Sequence, residues 1–171
     1  MDHSAHPSAL SPVVAMAWSG LCLAAVVPAA VRLLRDRPLW RRISLPPAAT
    51  LPLLVLTHAW TVLGDHLGLR PPGGALVTEP VLVAAAVLFW LPALARTRHR
   101  LGDPGRCLYL FLAMPLLDLP AVGVIASGHN AEGIAMIVGM LPLGLIAAAV
   151  TWSWVNREER EEREALRAAE A

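Results

Sequence analysis

The chain has 171 residues, 56% hydrophobic and 16% charged, with a mean hydropathy of +0.56, too apolar for a water-soluble domain of this length. Its formal charge is only +1, yet all fourteen basic residues are arginine, so their positions say more than their sum. No nucleic-acid-binding footprint appears in that distribution.

The N-terminal segment, residues 1–11, opens MDHSAHP. It is acidic and histidine-bearing and lacks the positive n-region of a cleavable signal, so it is expected to be retained on the external side. Five apolar stretches follow, at 12–34, 45–64, 76–95, 107–127 and 133–155. Each approaches the roughly 20 residues a helix needs to cross about 30 Å of hydrocarbon. The expectation is an all-α integral membrane bundle of about five transmembrane helices over residues 12–156, followed by a charged helical tail at 157–171. Every stretch contains proline (Pro28, Pro52, Pro92, Pro115 with Pro120, Pro142), which predicts kinked helices whose freed carbonyls are satisfied by neighbours.

Arginine placement predicts the orientation, because short positive loops stay in the cytoplasm. Five arginines follow the first stretch, four follow the third, four lie in the tail, and Arg70 alone falls on the other side. Thirteen against one places the N-terminus outside and the C-terminus in the cytoplasm. The tail NREEREEREALRAAEA carries opposite charges at helical spacing, Glu159 with Arg163 among them, and reads as a continuation of the last helix. Trp18, Trp40, Trp90, Trp152 and Trp154 fall toward stretch ends, where indoles anchor at headgroups. Cys22 and Cys107 lie at different depths and are not expected to pair.

On this topology, His3, His6, His66 and His129 are external, His58 lies inside the second span, and only His99 is cytoplasmic. Neutral imidazole binds copper and zinc, so one-sided histidines suit a metal handled outside the cell, although ordinary loop and interface roles are the simpler explanation. Asp65 follows His58 by seven residues, on nearly the same helix face. Asp118 lies near mid-membrane, one turn after Met114 and between two prolines. A carboxyl there is costly and marks a cation or proton site, or a protonated group bonded across the bundle. Glu132, Met136 and Met140 recur every four residues, and thioether sulfur is a ligand for Cu(I) as well as a common packing group. Glu79 is a further acidic group near the external surface. The candidate metal ligands are therefore His58, His66, His129, Met136, Met140, Asp65 and Asp118. No GxSxG, P-loop, HExxH or dinucleotide fingerprint occurs, so an enzyme is not expected.

Residues 79–163 carry VLFWLPAL, LGDPGRCLYLFLAMP and AEGIAMIVG in order, then a tryptophan-rich helix leading into REEREER. This half of the chain resembles the CtaG-type cytochrome c oxidase assembly family, which shows a similar order of FWxP, basic loop, RxxYLxxAMP, GxxM and a mixed-charge tail. Where that family commonly has Glu-His before its FWxP helix, Glu79 precedes Pro80; where it has Asp-Gln before the last-helix glycine, Ala131 and Glu132 stand. The family is usually longer, with about seven spans. The resemblance implies a multi-pass protein of the bacterial plasma membrane that assists maturation of a heme-copper oxidase, with copper as cargo and oxidase subunits and the lipid bilayer as partners. Two other readings remain open: a metal-free membrane scaffold or structural subunit, and a small ion or proton transporter centred on Asp118.

Overall fold

The structure is a computed structural model, and it describes residues 10–64, 67–69 and 74–170. Apolar stretches fold as helices because lipid offers backbone N–H and C=O groups no partner outside the chain. Helix α1 (Leu10–Leu21) passes through one π-helical turn (Cys22–Val26) into α2 (Val27–Leu33), followed by a short α3 (Leu39–Ile43), α4 (Pro47–Leu63), α5 (Ala75–Leu94), α6 (Asp103–Ala126) and α7 (Asn130–Glu170). The described residues include no strand.

Four helices are long and apolar enough to cross a membrane: Pro12–Leu33, Leu76–Leu94, Asp103–Ala126 and Asn130–Glu170. The fifth, α4, has 17 residues, about 25 Å at the rise of an α-helix. The all-helical membrane bundle read from the sequence is therefore found, with its second element the short one. Helix α7 packs between α1 and α6, α4 packs between α6 and α5, and α5 closes back onto α2, so the helices form a ring.

Close approach in this ring depends on small residues, as in other lipid-embedded bundles where packing replaces the hydrophobic effect. A Cβ on Gly139 of α7 would lie 2.5 Å from the Ala17 carbonyl oxygen of α1, and one on Gly20 would lie 3.1 Å from the Met136 carbonyl oxygen. The α6–α7 hairpin turns through residues 127–129, where Gly128 has φ +92°, a conformation that favours glycine.

Proline sets the interior hydrogen bonding. Pro28 has no N–H and its ring crowds the preceding turn, which widens into the π-helical segment. There the Val27 N–H bonds back to the Cys22 carbonyl, leaving the Leu23 carbonyl free. The Trp90 indole N–H donates to that carbonyl at 2.9 Å. This corrects the expectation for Trp90: it is 1% exposed, at the centre of the core, and anchors no interface. Beside it the Tyr109 hydroxyl donates to the Phe89 carbonyl at 3.0 Å and lies 2.9 Å from the Thr50 hydroxyl. Phe89 stacks on Tyr109 and meets Trp90 edge-on, so the π-helical turn of the first span, α4, α5 and α6 are joined at one level.

The arginine-bearing segments meet at one end of the bundle. Arg96 pairs with Asp36 at 3.5 Å and its N–H donates to the Arg35 carbonyl. Asp103, in the first turn of α6, pairs with Arg157 of α7 at 2.6 Å and with Arg106 at 3.5 Å. Helix α7 continues unbroken past this end to Glu170, where Arg163 and Glu159 pair at 3.0 Å.

Candidate functional site

Asp118 lies well inside α6, half-buried, and among the described residues it makes no hydrogen bond or ion pair. It lines a cavity of about 60 Å³ between α6 and α7, together with Met114, Met140, Gly144 and the aliphatic Ile137, Leu141 and Leu143. That volume admits a few water-sized groups. The helical period explains the convergence: Met114 precedes Asp118 by one turn on α6, and Gly144 follows Met140 by one turn on α7. Gly144 makes room for the thioether, since a Cβ there would come within 3.0 Å of the Met114 methyl carbon. The half-exposure of Asp118 and the exposure of Leu141 (60%) put the cavity at the outer surface of the bundle.

Pro115 and Pro120 flank the carboxyl and lack N–H groups, so the carbonyls of Phe111 and Leu116 receive no i→i−4 bond from those positions. The site thus contains a carboxyl and two thioethers.

The other sequence candidates among the described residues do not join it. His58 belongs to a stripe, Thr50, Leu54, His58 and Val62, that recurs every four residues and is the buried face of α4. Its ring is 1% exposed, beside the Leu117 backbone of α6, and neither nitrogen has a hydrogen-bond partner among the described residues. Adjacent positions on a helix point about 100° apart, so the Leu117 contact puts His58 on a different side of α6 from the Asp118 groove. Met136 is buried in a separate cluster with Val62, Ala121 and Val124, so the Met136–Met140 stripe divides between two environments. His129 is exposed in the hairpin turn with its Nδ1 3.5 Å from the Ser127 hydroxyl. Glu79 is exposed and Glu132 half-buried, while His99 meets Ser44 at 3.4 Å at the arginine end. Asp65, His66, His3 and His6 lie outside the described residues.

Among the described residues no three His, Cys, Asp or Glu side chains gather as a metal site. The convergence that does occur uses methionine. Met114 shares a helix face with Asp118 by period but is not among the ligands expected from the sequence; nor is Gly144, whose sequence signal is its one-turn offset from Met140. No protein-family model, curated protein or solved structure matches the chain.

Chemically, thioethers prefer soft ions and a carboxylate supplies the balancing charge in a low-dielectric site. The residues around the cavity fit a soft monovalent cation such as Cu(I) better than they fit the borderline or hard divalent ions that imidazole or oxygen clusters select.

Proposed function

We propose that the chain is a multi-pass accessory protein of the bacterial plasma membrane that handles Cu(I) during assembly of a heme-copper oxidase, with its N-terminus outside and its C-terminal helix in the cytoplasm. The single observation carrying this reading is the convergence of Met114, Asp118 and Met140 on one cavity. Met114 and Met140 would hold the ion through sulfur, and Asp118 would offset its charge. The cargo supplies no chemistry to the chain; the chain shields a soft ion from water and presents it from within the bilayer.

Two further observations support the reading. The meeting of arginine-bearing segments at one end of the bundle gives the positive-inside rule a single face on which to act. The sequence order from FWxP to the mixed-charge tail resembles the CtaG-type family over residues 79–163. Relative to the sequence expectation, the proposed ligand set moves from the histidines to the thioethers. His58 and His129 lie apart from the cavity, and the placement of Asp65 and His66 is outside the described residues.

The physiological test is the copper content of the terminal oxidase in membranes of the native host. Removing the chain is expected to lower the oxidase copper-to-heme ratio, and restoring it with Met114 and Met140 both replaced by leucine is expected not to recover it. An unchanged ratio on removal contradicts the role in oxidase maturation.

A further inference from the structure

A second feature, independent of the copper reading, lies at the arginine end. Arg32, Arg37, Arg41, Arg42, Arg98 and Arg100 are all exposed, and none pairs with a carboxylate among the described residues. The two aspartates at this end, Asp36 and Asp103, are engaged by other arginines: Asp36 by Arg35 and Arg96, Asp103 by Arg106 and Arg157.

The surface is held in place. The Trp40 indole N–H donates to the Leu34 carbonyl, and its ring packs against the main core. The Arg96 N–H donates to the Arg35 carbonyl, and the Ser44 hydroxyl meets the His99 ring, so the segment containing α3 is joined to the segment between α5 and α6. The arginines are interleaved with exposed apolar side chains, Leu33 (85%), Leu39 (57%) and Leu45 (40%). Cations beside exposed leucines at the end of a membrane helix match the level where a phosphate headgroup sits above its acyl chains.

We infer that this end of the bundle is a binding surface for anionic phospholipid of the surrounding membrane, formed by Arg32, Arg37, Arg41 and Arg42 on one segment and Arg98 and Arg100 on the other. The charge complementarity selects phosphate without a neutralising ammonium, and guanidinium forks suit phosphate oxygens. The flanking leucines face the acyl chains, so a headgroup that carries its lipid gains contacts that free phosphate lacks.

Native mass spectrometry of the full chain, released from nanodiscs of equimolar phosphatidylglycerol and phosphatidylcholine, tests this. The expected result is selective retention of phosphatidylglycerol, weakening as salt is raised. The R41Q/R42Q/R98Q variant is expected to lose retention by about fivefold per arginine removed. Its charge-matched counterpart in the α7 tail, R160Q/R163Q/R167Q, is expected to retain lipid as the parent does. Equal retention of the two lipids by the unaltered protein overturns the inference, whether or not the variants fold. An equal loss in the tail variant also overturns it, by reducing the effect to net charge.

Discussion

Trp90 and Tyr109 each commit a side-chain donor to a backbone carbonyl on another helix, Leu23 and Phe89 respectively. In lipid such bonds are worth about 1 kcal/mol, because the unfolded chain also finds partners. Trp90→Phe is expected to destabilise the bundle by about that amount plus a packing loss of similar size, read as a lowered unfolding midpoint in detergent. Asp118 behaves in the opposite sense. A carboxyl with no partner among the described residues opposes insertion, and near the bilayer centre the penalty is about 3 kcal/mol. Asp118→Leu is therefore expected to raise the unfolding midpoint in nanodiscs, and a fall would mean that the carboxyl is structural. At this scale the sequence was informative where one residue conflicts with its solvent, as Asp118 does, and where a period exists, as for His58 in its four-residue stripe. It was uninformative for Trp90, because the carbonyl that holds it is exposed by a proline 62 positions away in the sequence.

At the level of elements, the helix limits followed apolar length closely, with Pro52, Pro92, Pro115, Pro120 and Pro142 inside helices, since lipid admits few alternatives to a helix. The interruption of the first span into α1, a π-helical turn and α2 was foreseen only as a kink at Pro28; its form depends on Val27 bonding back to Cys22. Pairing of α1 with α7 was not legible at all, because Gly20 and Gly139 read as ordinary membrane glycines until the backbones are seen in contact. Gly139→Leu drives a side chain into the Ala17 carbonyl and is expected to cost about 3 kcal/mol. The loss should appear as a lower unfolding midpoint and as early protease access to α1. Gly144→Leu, by contrast, fills the space beside Met114 and is expected to reduce the proposed Cu(I) binding, read by titration, more than the unfolding midpoint.

For the whole molecule, composition and arginine distribution pointed to a membrane bundle before any residue could be assigned a role, and the structure adds which faces meet. The candidate site was half legible: Asp118 and Met140 were singled out, but His58 and His129, expected toward one side of the membrane, lie outside the groove. Single-cysteine probes at Ser127 and Ala168, in a chain with Cys22 and Cys107 replaced by alanine, test the proposed topology. One crossing by α7 with a cytoplasmic C-terminus predicts that a membrane-impermeant thiol reagent reaches Ser127→Cys only from outside and Ala168→Cys only from inside. Labelling of both from one side contradicts it.

Whether Met114, Asp118 and Met140 form one soft-ion site is decided by Cu(I) titration of the purified full chain against a chelating competitor. One ion per chain is expected, with binding weakened at least about tenfold in Met114→Leu or Met140→Leu and no effect of His129→Ala. Absence of Cu(I) binding, or binding that survives the Met114→Leu/Met140→Leu double replacement unchanged, would contradict it.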